Sequence, residues 1–221
     1  MTRTPFLPAA AIFDMDGLML DTERPAATAW ARAARNLGWP VDERIAAKTI
    51  GMDEPSNRAI IMEELGADFP YDAVRKEMAA IVRREVEESR GIPQRPGLTA
   101  LLDHLEALRV PLAVATSSGR KSALWKLRQG GILDRFSVLA CGDEVPQGKP
   151  APDVFLLAAE RLGKDPADCV GFEDSPAGLR ALAAAGIRSV FVKDLVEPPP
   201  EVLALVWRRC GDLAEAAALF G

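Results

Sequence analysis

The sequence predicts an α/β fold: a parallel, Rossmann-like sheet core with helices on both faces and one inserted all-helical segment. Three observations predict it. Residues 9–13, 111–115, 136–140, 168–172 and 189–192 form short apolar runs, as strands covered on both faces should. Helical patterns over 98–108, 122–130, 152–162 and 176–185 alternate with these runs, and such alternation builds parallel sheets. Residues 22–90 break the alternation with helical patterns only, over 24–37, 42–50, 56–65 and 71–88.

The first strand delivers Asp14 and Asp16, one residue apart, onto Gly17. Strand side chains alternate with period two, so both carboxylates point to the same side where the chain leaves the sheet. Like charges that close repel unless a cation sits between them. One carboxylate as nucleophile and the other as proton donor, with Mg²⁺, is workable chemistry. Asp-Gly is also a turn signal, and either aspartate could simply cap the next segment. In the helical insert, residues 71–88 carry a stripe of Val74, Met78, Ile81, Val82 and Val86. The stripe is too short for a coiled coil and suits packing on neighbouring helices. Pro/Gly-rich residues 91–97 close the insert. The expected division is a core of residues 1–20 plus 93–221 and a helical cap of residues 21–92. Pro198-Pro199-Pro200 reads as a loop between the last strand and a C-terminal helix.

Ligands in parallel sheets bind at the carboxyl ends of the strands, so the residues just beyond each strand are the candidates for chemistry. After the second run come Thr116-Ser117-Ser118-Gly119, which offer hydroxyls and free N–H groups as an oxyanion seat, or an ordinary helix cap. After the third comes Lys149, between Gly148 and Pro150, a fixed point charge or a solvated turn lysine. After the fourth come Glu173, Asp174 and Ser175-Pro176, a second acidic pair or a cap. As a set, these residues place oxygen donors suited to Mg²⁺ at one sheet edge. Thr116 and Lys149 there would balance the charge of a transferring phosphoryl group.

Composition narrows the classes. A formal net charge of −5 gives no basic stripe for a nucleic-acid backbone. No apolar run is long enough to cross a bilayer, and no signal-peptide core comes after the first residues. Cys141, Cys169 and Cys210 have neither metal-site spacing nor a disulfide framework. Free thiols in a reducing cytoplasm are expected. His104 is the only histidine and reads as a surface or packing residue, so chemistry falls to carboxylates, lysine and a metal. The sequence leaves the oligomeric state open, a monomer included.

The motifs Asp14-Met15-Asp16-Gly17-Leu18-Met19-Leu20-Asp21-Thr22-Glu23, Thr116-Ser117-Ser118, Gly148-Lys149-Pro150-Ala151-Pro152-Asp153 and Gly171-Phe172-Glu173-Asp174-Ser175-Pro176-Ala177-Gly178 resemble the four motifs of the haloacid dehalogenase-like hydrolase superfamily. The resemblance spans the chain. Within the superfamily it is similar to the subgroup with a helical cap after the first motif, which includes β-phosphoglucomutase-like proteins and many small-molecule phosphatases. The resemblance implies that Asp14 is the nucleophile forming an aspartyl-phosphate and Asp16 the general acid, then base. It implies that Thr116 and N–H groups near Ser117 hold the phosphoryl oxygens beside Lys149. It implies Mg²⁺ bound by the Asp14 side chain, the Asp16 carbonyl and Asp174, with Glu173 as a ligand or the partner of one. An aspartate at position 16 favours phosphoryl transfer over dehalogenation, because the leaving oxygen of a phosphate ester needs a proton.

The resembling mutases carry a histidine shortly after the first motif, where this chain reads Arg24-Pro25-Ala26-Ala27-Thr28. Their cap also carries an arginine after a Lys-Gly pair, where this chain reads Ile50-Gly51-Met52-Asp53-Glu54. The expectation is therefore a cytoplasmic Mg²⁺-dependent phosphatase of a small phosphorylated metabolite, such as a sugar phosphate. A phosphosugar mutase is the first alternative, and a phospho-accepting signalling receiver is an alternative from another class.

Overall fold

The computed structural model describes residues 6–39, 41, 44–45, 54–89 and 91–220. Six strands form one parallel sheet: β1 (Ala10–Phe13), β2 (Leu112–Thr116), β3 (Val138–Cys141), β4 (Cys169–Glu173), β5 (Arg188–Val192) and β6 (Arg208–Cys210). Their order is β3-β2-β1-β4-β5-β6, and every pairing is parallel. The chain moves outward from β1 in one direction and then in the other. That reversal opens a crevice at the carboxyl end of β1. The register is tight there: Phe13 lies opposite both Val114 and Phe172.

The helices are α1 (Glu23–Asn36), α2 (Glu54–Leu65), α3 (Tyr71–Glu88), α4 (Leu98–Ala107), α5 (Arg120–Gln129), α6 (Asp153–Leu162), α7 (Pro176–Ala184), α8 (Pro200–Leu203) and α9 (Leu213–Ala217). Strand alternation sorts the core into two layers. Phe13, Val114, Phe172 and Val192 pack with α4, α5 and α9 on one face. Ile12, Ala113, Ala115 and Cys169 pack with α6 and α7 on the other. Phe13 and Phe172 stack with ring centroids 4.5 Å apart, and each buried ring of this kind contributes about 1.5–3 kcal/mol. His104 Nε2 lies 2.8 Å from the Phe220 carbonyl oxygen and fastens α4 to the C-terminal segment. The three cysteines are buried and free.

Two expectations are corrected at the C-terminal end. β6 was not expected, because an edge strand of three residues, Arg208-Arg209-Cys210, has no apolar run to reveal it. Pro198 and Pro199 lie in the expected loop, whereas Pro200 opens α8, where its missing N–H is no loss. β6 then intervenes before α9.

Helices α1, α2 and α3 build a separate apolar cluster, including Trp30, Ala33, Ile61, Phe69, Val74 and Ile81. Phe69 meets Trp30 at 5.6 Å and Trp39 at 5.4 Å between ring centroids. Among the stripe residues expected on α3, Val74 and Ile81 are buried in this cluster, with Met78 and Val82 packed against it. The expected helix over 42–50 lies outside the described residues but for 44–45, and residues 50–53 with the Glu54 side chain lie outside them too. The two connections to the sheet run side by side. The Asp21 N–H donates to the Pro93 carbonyl at 2.9 Å, and the Arg95 N–H to the Met19 carbonyl at 2.8 Å. Beside them Asp194, with its side chain 2% exposed, forms ion pairs with Arg24 and Arg95, each at 2.8 Å.

Candidate active site

Four consecutive strand ends converge beneath the helical insert. Asp14 comes directly after β1, Thr116 ends β2, Lys149 lies in the loop after β3, and Glu173 ends β4 with Asp174 next. All five are at least nine-tenths buried, which polar groups tolerate only when partnered. Lys149 Nζ spends its donors on Asp14 Oδ1 at 2.5 Å, Glu173 Oε1 at 2.7 Å and the Ala115 carbonyl at 3.1 Å. The other Glu173 oxygen accepts from the Asp174 N–H at 2.9 Å, the Ser175 N–H at 2.8 Å and the Ser175 hydroxyl at 3.0 Å. Glu173 thus fixes Lys149 and the turn into α7.

Both aspartates line one cavity, and the turn after β1 sets the place of Asp16. The Met19 and Leu20 N–H groups donate back to the Met15 carbonyl at 3.1 and 3.2 Å. Gly17 permits this turn with φ +86°, and a Cβ there would stand 2.5 Å from Asp174 Oδ2. Glycine is required for both reasons. Asp16 consequently has partners of its own. Its Oδ1 accepts from Lys126 Nζ at 2.7 Å and Thr22 Oγ1 at 2.8 Å, and its Oδ2 from Ser118 Oγ at 2.9 Å. Thr116 Oγ1 accepts from the Ser118 N–H at 3.0 Å, which sets the loop in which Ser117 lies.

These surroundings divide the carboxyls. Burial pushes Asp14 up to about 8, with Lys149 opposing and Glu173 adding. Asp174 is raised well above the ordinary carboxylate range, first by burial and then by Glu173 and Asp14. Burial also opposes the charged form of Asp16, but Lys126, helped by hydrogen bonds from Lys126, Thr22 and Ser118, outweighs it and holds the carboxyl low. Burial works against charge on Lys149 too, and Asp14 and Glu173 overcome it. One oxygen from each of Asp14, Glu173 and Asp174 lies within 4.8 Å of the others. Asp174 Oδ1 is buried without a hydrogen-bond partner. Three carboxyls facing one lysine, with an orphan oxygen among them, fit a hard divalent cation that takes oxygen ligands.

A cavity of about 1090 Å³ opens from this edge to α1 and α3, and Asp14, Asp16, Thr116, Ser117, Lys149 and Asp174 line it. Glu173 is not among the lining residues. The insert contributes Ala26, Arg75, Lys76, Met78, Val82 and Arg83 to the wall, and the Arg83 guanidinium lies 5.2 Å from the centre of the Trp125 ring. Lys126 and the cations of α3 escaped the sequence. Lys126 stands among Arg120, Lys121 and Arg128 on one helix, a pattern indistinguishable from a solvated face. Thr22 and Ser118 stood inside quoted motifs, but nothing in their spacing pairs them with Asp16.

The sequence pattern of the haloacid dehalogenase-like hydrolases matches residues 8–186. A phosphorylated carbohydrates phosphatase of Thermotoga maritima is 35% identical over 182 residues, covering 82% of this chain and 83% of that one. The fructose-1-phosphate phosphatase YqaB of Escherichia coli is 34% identical over 187 residues, covering 84% of this chain and 96% of its own. The crystal structure of CbbY from Rhodobacter sphaeroides in complex with phosphate superposes with a TM-score of 0.78 at 26% identity, over 94% of this chain and 96% of that one.

Proposed function

This chain belongs to the haloacid dehalogenase-like hydrolases and is a phosphoric monoester hydrolase, and from that premise we propose that it is a Mg²⁺-dependent phosphatase of a small phosphorylated carbohydrate, working through an aspartyl-phosphate on Asp14. The observation that carries the reading is the convergence of Asp14, Thr116, Lys149 and Asp174 on one cavity, with Asp16 held beside them. The named activities of the two bacterial phosphatases support the substrate class. The same reading takes residues 1–20 with 93–221 as core and 21–92 as cap, supported by the separate apolar cluster of α1 to α3. Its setting is the cytoplasm, where three buried free thiols remain reduced.

In the first half-reaction an Asp14 oxygen attacks phosphorus, the bond to the ester oxygen breaks, and Asp16 gives that oxygen a proton. In the second, water attacks the acyl phosphate as Asp16 takes its proton, releasing inorganic phosphate and restoring Asp14. The partners of Asp16 favour the carboxylate that the second step needs. A phosphate dianion entering beside Asp16 favours the protonated form that the first step needs, as like charges do. Thr116, the N–H groups around Ser117 and Lys149 take the phosphoryl oxygens. Asp14 and Asp174 would hold Mg²⁺, with Glu173 fixing Lys149 from behind. When bound, the cation supplies positive charge for the phosphoryl oxygens and keeps Asp14 ionised.

The test is phosphate release from a panel of phosphorylated metabolites by the parent and by Asp14→Asn. Sugar phosphates should lead the panel and the variant should be inactive. A variant that still turns over would remove Asp14 from the nucleophile's role. One observation speaks for the mutase alternative: α3 brings Arg75, Lys76 and Arg83 to the cavity wall, where cations could grip a second phosphate.

A further inference from the structure

Lys126 stands outside the four sequence motifs, yet it makes the one ion pair of Asp16 among the described residues. Its Nζ donates to Asp16 Oδ1 at 2.7 Å and to Ser118 Oγ at 3.1 Å, while Ser118 Oγ donates to Asp16 Oδ2 at 2.9 Å. Lysine, aspartate and serine thereby close a ring, which Thr22 joins from the connection to α1. The base of Lys126 is rigid, because its helix neighbours Ala123 and Leu127 are fully buried against the sheet. The pair itself is only about one-fifth exposed, so screening by solvent is weak. The other lysine at the sheet edge, Lys149, is already committed to Asp14, Glu173 and Ala115. No second cation at the floor of the site touches Asp16 among the described contacts.

We propose that Lys126 is the positioning residue of Asp16. It holds the carboxyl at the cavity wall, where the ester oxygen leaves and where water later enters. The inference rests on the reading of Asp16 as general acid and base. The proton passes from Asp16 to the ester oxygen as the phosphorus–oxygen bond breaks, and from water to Asp16 as the new bond forms; Lys126 exchanges none. Its contribution is orientation. A carboxyl one residue from Asp14, freed from its cation, would be repelled from its neighbour and lose the alignment on which proton transfer depends.

The experiment is a double-mutant cycle of Lys126→Met and Asp16→Asn, with Lys126→Arg as the conservative variant. Each protein is assayed with Mg²⁺ on the sugar phosphate that the parent turns over fastest and on p-nitrophenyl phosphate, whose leaving group needs no proton. Lys126→Met should lower kcat/KM on the sugar phosphate about 10–100-fold, with KM changed less than about threefold, and kcat/KM on the aryl ester less than about threefold, because kcat/KM reports the steps through departure of the ester oxygen and not the later attack of water. Lys126→Arg should recover most of the loss. In the Asp16→Asn background, adding Lys126→Met should change kcat/KM less than about twofold, because the lysine acts only through the missing acid. A raised KM with kcat retained would make Lys126 a substrate ligand and overturn the proposal. Losses that multiply in the double variant would do the same. If methionine lowers the unfolding temperature, Lys126→Gln is put through the same cycle, and the same outcomes decide. Equal losses on both esters for Asp16→Asn alone would instead overturn the reading of Asp16, whatever Lys126 does.

Discussion

The site depends on a few atoms that cannot be moved, and the glycine of α7 shows this most sharply. A Cβ on Gly178 would fall 1.6 Å from Glu173 Oε1, the oxygen that holds Lys149. Gly178→Ala, normally favourable in a helix, should here expel Glu173 and leave Lys149 to Asp14 and the Ala115 carbonyl alone. The expected outcome is a loss of stability of about 2–4 kcal/mol in urea unfolding, from overpacking and a broken buried ion pair together. Activity should fall in the protein that remains folded; unchanged stability would mean that Glu173 is not seated against α7. The two acids of the first motif should respond differently. Asp16→Asn should cost about 10²–10⁴ in kcat/KM on alkyl phosphates and far less on aryl phosphates, measured as release of inorganic phosphate and of the aryl alcohol. Equal fractional losses would argue against Asp16 as the acid. The convergence of Asp14, Asp16, Thr116, Lys149, Glu173 and Asp174 was legible in the sequence because each lies at a strand end or in the loop that leaves it, and a parallel sheet gathers those loops at one edge. Lys126 was not. It reaches Asp16 from two turns into α5, and a helix position betrays its tertiary partner only when the packing is known.

Among the elements, Glu144 ties the segment after β3 to two helices. Glu144 accepts from Arg120 on α5 at 3.1 Å, from Arg161 on α6 at 3.0 Å and from the Cys141 N–H at 3.0 Å. Hydrogen bonds from Arg161, then from Arg120 and the Cys141 N–H, outweigh burial and draw its carboxyl down from 4.5 to about 2. A carboxyl depressed by folding stabilises the protein above its unfolded value, and that contribution is lost as pH falls from about 4.5 through about 2. Arg120 and Arg161 are 42% and 34% exposed, so screening reduces the contribution to about 1 kcal/mol. Glu144→Gln should therefore be about 1 kcal/mol less stable than the parent in urea at pH 7, and the gap should narrow as pH approaches 2. A gap that does not narrow at low pH would mean that the charge of Glu144 is not what clamps α5 and α6. At this scale the sequence was readable where burial on both faces forces an apolar run, as in β1, β2, β4 and β5. It was unreadable where a strand lies at the edge: β6 pairs with β5 alone, and its two arginines look like loop.

For the whole molecule, the question is what the cavity between sheet and helices does with the aspartyl-phosphate. Chelation should abolish turnover and added Mg²⁺ restore it, while Zn²⁺ should substitute poorly because the described carboxyls offer it no nitrogen or sulfur; full activity after thorough chelation would end the metal-assisted reading. The fate of the intermediate depends on the wall opposite. A mutase must hold a second phosphate and place a sugar hydroxyl better than water. Arg75, Lys76 and Arg83 reach that wall from α3, which the sequence did not disclose, because side chains on an amphipathic helix show which face is apolar but not what the other face overlooks. Arg83 is nevertheless engaged with Trp125, and Ala26, which lines the cavity beside the first motif, supplies no group to relay a proton or exclude water. The acidic stretch through Asp53 lies outside the described residues. Cations alone attract phosphates of either mode of use; hydroxyl placement is what distinguishes transfer to sugar from transfer to water, and it is an orientation effect that can reach several kcal/mol. With nothing at position 26 to impose it, hydrolysis should win. β-Glucose 1-phosphate followed by phosphorus NMR, with and without glucose 1,6-bisphosphate, should yield inorganic phosphate at a rate that the bisphosphate does not raise. Accumulation of glucose 6-phosphate ahead of inorganic phosphate would show that the α3 cations place the sugar well enough to outcompete water, and would make the enzyme a mutase.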